Sequence, residues 1–147
     1  MNLDITEISQ EKFEPLESFK RAEYPEVDKD HYGDVRPDFK EYHFTLLAEE
    51  EESIIGYISV TVKMGIAYIE SLLVGKAHRN KGVGKSLVLQ AEEKAKSYNA
   101  HKIWLETGAN WGTEKFYADL GYSVRCKLPN DVAHIDGLTM DKMLEVK

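Results

Sequence analysis

The chain has 147 residues, enough for one domain with a core of its own. Its formal net charge of -7 argues against a general nucleic-acid binder, which needs a basic face. Cys126 is the only cysteine, so no disulfide within the chain and no cysteine-based zinc site can form, and the five scattered histidines show no ligand spacing. No segment is long and apolar enough to span a membrane, and the first residues carry neither basic region nor apolar run. A cytoplasmic protein is the expectation, with no nucleic-acid, membrane or metal partner.

Leu3, Ile5 and Ile8 suggest a short first strand. Phe13, Leu16, Phe19 and Lys20 have helical spacing, and Pro15 suits a first turn. The polar stretch from Tyr24 to Phe39, broken by Pro25, Gly33 and Pro37, reads as loop with room for one short helix. Tyr42 to Ala48 and Ile54 to Val62 read as strands around the acidic turn from Glu49 to Ser53, with Tyr57, Ser59, Thr61 and Lys63 sharing a face. After the Met64-Gly65 turn, Ile66 to Val74 is a strand apolar on both sides. Ala67, Ile69 and Leu73 are expected on one side, and Ile66, Tyr68, Leu72 and Val74 on the other. That pattern predicts a central strand covered by helices.

A helix follows, with Leu87, Val88, Ala91, Ala95 and Tyr98 on one stripe and Glu92, Glu93, Lys94 and Lys96 on the rest. Lys102 to Thr107 is a strand, in which Trp104 is expected to be core. Asn110 is the expected N-cap of a helix containing Glu114, Phe116 and Tyr117, and Gly121 ends it. Tyr122 to Leu128 and Ile135 to Leu144 complete the strands, with Cys126 expected to be buried. The order implies a mixed α/β layered fold without repeats or an evident linker.

The segment from Arg79 to Lys85 joins strand to helix through two glycines, a geometry that gathers backbone N–H groups at one point and suits a phosphate. Lys76, His78, Arg79, Lys81 and Lys85 crowd the same turn. Lysines at a helix start oppose its dipole, so the placement favours an anion. His78 reads more simply as a solvated turn residue. Gly84-Lys85-Ser86 would end a P-loop, but Arg79 occupies the place of its first glycine. Gly82 and Gly84 would open a dinucleotide fingerprint, but Leu87 occupies the place of its third. Arg79, Gly82 and Gly84 fit a third pattern without a gap: Arg or Gln, two residues, Gly, one residue, Gly or Ala.

That third pattern resembles the acetyl-CoA-binding motif of the GCN5-related N-acetyltransferases, the GNAT family. Ile69 to Val74 looks like the family's fourth strand, and Asn110 with the run from Phe116 to Tyr122 looks like its second cofactor segment. Thr113 and Asn80 depart from the residues common there. The resemblance implies one domain over residues 1–147. It implies a mixed, mostly antiparallel sheet of six to seven strands, splayed at the fourth and fifth, with flanking helices. It also implies acetyl transfer from acetyl-CoA to a primary amine by direct attack, the amine borne by a small molecule or a protein. The cofactor-binding residues implied are Leu72, Leu73 and Val74 for the pantetheine arm, Arg79, Asn80, Lys81, Gly82, Val83, Gly84 and Lys85 for the pyrophosphate, and Asn110 and Tyr117.

Glu70 is the expected general base. Set in an apolar strand, its carboxylate should be partly desolvated, which favours the protonated form. Glu106 is the reserve. Tyr117 matches the family's general acid, which protonates the departing thiolate. Trp111 is expected to edge the site; the acids and aromatics from Tyr24 to Asp38 read either as a solvated loop or, as the resemblance implies, as one wall of an acceptor site suited to a cationic amine. The assembly is a monomer or a homodimer. A non-catalytic acyl-CoA-binding module and a P-loop protein are the rival functions.

Overall fold

The computed structural model describes residues 3–35 and 37–145, in two compact units, Met1–Pro37 and Asp38–Lys147. In the first unit a 3-10 turn, Gln10–Lys12, leads into helix α1, Phe13–Tyr32. Residues 3–9 form no strand, contrary to the sequence expectation. A strand must give its N–H and C=O groups to another strand, and Met1–Pro37 contains none among the described residues. The helix also runs through Pro25 to Tyr32, where the sequence suggested a loop. Proline removes one ladder hydrogen bond, but Glu23, Glu26 and Lys29 around it are good helix formers, and Gly33 at φ 61 ends the helix.

The second unit is a six-stranded sheet in the order β1-β2-β3-β4-β6-β5. The strands are β1 (Tyr42–Glu50), β2 (Ser53–Lys63), β3 (Ile66–Val74), β4 (Lys102–Gly108), β5 (Ser123–Leu128) and β6 (Gly137–Met143). Every pairing is antiparallel except β3 with β4. The sheet is therefore the mostly antiparallel one expected, with six strands. Helix α2 (Val83–Ser97) lies on β1, β2 and β3, and the short α3 (Thr113–Asp119) lies against β4 and β5.

The core fills the α2 side of the sheet. Ile58, Val60 and Val62 from β2 and Val88 and Ala91 from α2 are at most 1% exposed. Each large side chain buried so completely stabilises the fold by about 1.5–3 kcal/mol. Tyr42 stacks on Tyr98 with ring centroids 4.7 Å apart, closing the far end of this layer. Glu92, assigned to the polar side of α2 from its spacing, is buried at 6% exposure. Lys142 Nζ donates to both its oxygens, at 2.9 and 2.8 Å, and the Tyr122 hydroxyl donates to one at 3.1 Å. An isolated carboxylate could not be held there; a fully partnered one can.

Two of the sheet's β-bulges overturn sequence expectations about which residues face the core. In β2–β3 the register steps from Val60↔Ile69 to Ser59↔Ser71, leaving Glu70 as the extra residue. Alternation flips at that point. Ala67 and Ile69 before it, and Leu72 and Val74 after it, all pack toward the core. The expected grouping of Leu73 with Ala67 and Ile69 is thus corrected: Leu73 is 52% exposed. A second bulge at Arg125, between Val124 and Cys126 on the edge strand β5, leaves Cys126 exposed rather than buried. Bulges insert one residue and re-aim the side chains beyond it.

Candidate active site

β3 and β4 are hydrogen-bonded over three residue pairs, Ile66↔Lys102, Ala67↔Ile103 and Tyr68↔Trp104. Beyond Tyr68 they part. β4 stays paired to β6 along its whole length, and β3 stays paired to β2. From Ile69 to Val74 on one side and Leu105 to Gly108 on the other, the facing strand edges are left without each other. Leu72, Leu73 and Val74 lie along this opening.

The opening leads into the glycine turn. Arg79 Nε donates to the Val74 carbonyl at 3.0 Å, tying the turn back to the end of β3. Asn80 (φ 59) and Gly82 (φ 85) are both left-handed, and Gly82 caps α2. A side chain at Gly82 would be strained by its φ but would meet nothing within 4 Å, so the space in front of the turn is open. Ser86 N–H donates to the Gly82 carbonyl at 3.0 Å as the first bond of the helix. The N–H groups of Val83, Gly84 and Lys85 precede that ladder and have no partner in it. Lys76, Lys81 and Lys85 are exposed and make no ion pair among the described residues. Free N–H groups, a helix N-terminus, open space and cations together fit a polyphosphate. His78 is half-buried, with Nδ1 3.4 Å from Glu50, rather than the fully solvated turn residue expected.

The two glycines have different tasks. A Cβ on Gly84 would come within 3.4 Å of the Phe116 ring and 3.6 Å of Val74. Gly84 thus lets α3 approach the start of α2 through Phe116. Tyr117 is buried, 6% exposed, with its ring edge-on to Phe116 at 4.9 Å and to Tyr122 at 5.5 Å. Burial pushes its phenol up to about 12. Its hydroxyl makes no hydrogen bond among the described residues, yet no fully buried polar atom lacks a partner there, so the hydroxyl reaches solvent. Asn110 does not cap α3. Trp111 N–H closes a turn on the Gly108 carbonyl at 3.2 Å, which delays the helix to Thr113 and makes Gly112 the cap. Asn110 is left exposed on that turn.

Glu70 projects from the opposite face, away from α2. It is exposed, so the desolvation expected for it from the sequence is absent. Thr61 donates its hydroxyl proton to Glu70 Oε1, and Thr61 Oγ1 is 2.8 Å from His43 Nδ1. Tyr68 and Trp104 stand on the same face at the point of divergence, ring centroids 4.5 Å apart. Trp104 is therefore half-buried beside the site rather than core. Burial raises the Tyr68 phenol above its ordinary value, and the carboxylates of Glu106 and Glu70 add to that. Those two acids flank the opening from β4 and β3. A cavity of about 180 Å³ beside Tyr68 is lined by Glu106, Trp111, Asp131 and Asp136, with no cation on its walls. Tyr68 could have been found by its two-residue spacing from Glu70. Thr61 and His43 could not, because cross-strand register joins them to Glu70.

The sequence model of the Acetyltransferase (GNAT) family matches residues 4–122. No curated protein matches the sequence. An acetyltransferase from Bacillus cereus ATCC 14579 superimposes with a TM-score of 0.73 at 19% identity, covering 97% of this chain and 98% of that one. The ribosomal-protein-S18-alanine N-acetyltransferase from Escherichia coli gives 0.65 at 15% identity, covering 71% of each chain. A Bacillus anthracis str. Ames protein, provisionally assigned as a streptothricin acetyltransferase and solved with acetyl coenzyme A, gives 0.65 at 26% identity, covering 79% of this chain and 68% of that one. A family match of that extent, on a sheet that splays beside a helix-opening glycine turn, leads to one conclusion: the chain belongs to the GNAT acetyltransferase family, whose acyl donor is acetyl-CoA.

Proposed function

We propose that this chain transfers the acetyl group of acetyl-CoA to a primary amine by direct attack in a ternary complex, and that residues 1–147 act as one acetyltransferase domain. The observation that carries the reading is the parting of β3 from β4 next to the free N–H groups of the Gly82 turn. The unpaired edge at Leu72, Leu73 and Val74 offers backbone groups to the amides of the pantetheine arm, as a neighbouring strand would. The N–H groups from Asn80 to Lys85, with Arg79, Lys81 and Lys85, would hold the pyrophosphate. Asn110 stands on the turn before α3, within the family's second cofactor segment.

Acetyl-CoA supplies a thioester whose carbonyl carbon a neutral amine attacks, forming the C–N bond as the C–S bond breaks. An amine reaches the site as an ammonium, and Glu70 would take its surplus proton. Tyr117 would donate a hydrogen bond from its hydroxyl to the departing sulfur, neutral at every working pH because burial keeps the phenol protonated. Glu70 lies on the face of the sheet away from α2, whereas Tyr117 is carried by α3 and joins the core on the α2 side, so base and acid would act from different sides. The carboxylates around the cavity favour a cationic amine, on a small molecule or a protein. Among the structural neighbours, the Escherichia coli protein is named for a protein acceptor and the Bacillus anthracis protein for the small molecule streptothricin.

Thermal shift with CoA, acetyl-CoA and ATP, followed by thiol release over a panel of amines, tests the proposal. A ligand at about 100 times its Kd stabilises the fold by about 2.7 kcal/mol. Stabilisation by both CoA species and not by ATP, with amine-dependent thiol release, is the expected result. No shift with either CoA species at millimolar concentration refutes the reading. A shift without turnover on any amine would favour a binding module instead.

A further inference from the structure

We propose that Thr61 and His43 are positioning residues for Glu70, acting as one hydrogen-bonded chain across β1, β2 and β3. The proposal rests on the reading of Glu70 as the base. An exposed glutamate can adopt many rotamers, and base catalysis requires one held orientation. Glu70 is moreover the extra residue of the bulge, outside the β2–β3 register, so the ladder does not fix it. Thr61 does: its hydroxyl donates to Oε1, which leaves Oε2 free to accept a proton. Thr61 is β-branched and stiff at χ1, which suits it to the task.

The direction of the chain follows from proton count. An ionised carboxylate has no proton to give, and a threonine hydroxyl has one. That proton goes to Glu70, so Thr61 Oγ1 can only accept from His43 Nδ1, 2.8 Å away. His43 must therefore carry its proton on Nδ1. The pairing is built into the sheet, since His43 and Thr61 are direct cross-strand partners. The next rung does not compete, because Thr45 and Ser59 satisfy each other at 2.8 Å.

Two readouts on the full chain test this. Imidazole ¹⁵N correlation spectra, with His43 identified by the signals lost in His43→Asn, should show neutral His43 as the Nδ1–H tautomer. Thr61→Val should abolish that preference. In steady-state assays with acetyl-CoA and an accepted amine, Thr61→Val should lower kcat about 10-fold. KM for acetyl-CoA should stay unchanged, Thr61→Ser should restore the rate, and adding Thr61→Val to Glu70→Gln should cost nothing further. An Nε2–H tautomer in the wild type overturns the proposal whatever the activity. So does an unchanged kcat in Thr61→Val while Glu70→Gln is impaired, and in that case the base survives. Full activity in Glu70→Gln would instead refute the base.

Discussion

Replacing Tyr117 by Phe removes one oxygen and keeps the ring. The edge-on contacts to Phe116 and Tyr122 persist, and the hydroxyl has no protein partner among the described residues to lose. Stability at pH 7 should therefore change by less than about 0.5 kcal/mol. Activity should not be spared. A phenol held near 12 is a poor full proton donor to a thiolate whose thiol, if like that of cysteine, has a pKa of about 8.5. Its contribution is then a hydrogen bond to developing charge, worth about 1.5–3 kcal/mol, or ~10- to 150-fold in rate. We expect kcat to fall about 10²-fold with KM for acetyl-CoA little changed. The same substitution has an alkaline signature. The folded phenol is raised from 10.0 to about 12, so the folded state keeps a proton that the unfolded chain releases first. The resulting stability is complete below pH ~10 and is lost as pH rises toward ~12, about 3 kcal/mol in all. Urea titrations across that window should show the loss in wild type to be smaller in Tyr117→Phe by about this amount. An unchanged kcat, with the chemical step shown to limit the rate, refutes the role in catalysis. An unchanged alkaline limb refutes the burial argument beneath it.

Gly82→Ala places a methyl group at φ 85 in front of the free N–H groups. It should cost about 1 kcal/mol of stability and strongly reduce the thermal shift produced by acetyl-CoA. Lys142→Met leaves Glu92 buried without its cation, which should cost about 3–5 kcal/mol by urea denaturation. Adding Glu92→Gln, which keeps an acceptor for Tyr122, should recover much of that. Burial works against ionisation of Asp141, but hydrogen bonds from Lys102 and Arg125 outweigh it and hold the carboxyl below its ordinary value. Its stabilisation is present above the ordinary carboxylate range and is lost as pH falls through the folded value. Asp141→Asn should accordingly flatten the acid limb of a stability–pH curve.

Local rules made most of the elements legible. The strands from Tyr42 to Val74 followed from alternation and turn residues, and the glycine turn followed from composition on its flanks. Errors fell where a neighbour in space outweighed a local pattern. Leu3, Ile5 and Ile8 suggest a strand by their residue type, yet their unit offers no strand to pair with among the described residues. Asn110 has the side chain of an N-cap, but the turn that Trp111 closes on Gly108 moved the helix start beyond it. Glu92 sat at a polar position of a helical stripe, and Lys142, fifty residues on in the chain, together with Tyr122, makes its burial tolerable.

The sequence by itself determined the order of elements from Tyr42 onward, the glycine turn from Arg79 to Lys85 and the family. Each of these depends on residue types at short, fixed spacing along one backbone segment. Tertiary structure decided how the candidate site is assembled. The gap between β3 and β4 arises because β4 keeps its pairing with β6 while β3 keeps its own with β2. The aim of Glu70 depends on a bulge that no residue type in β3 announces, and its hold depends on Thr61 and His43 across two strands. Register and strand divergence are properties of pairs of segments, and a single strand's sequence does not carry them.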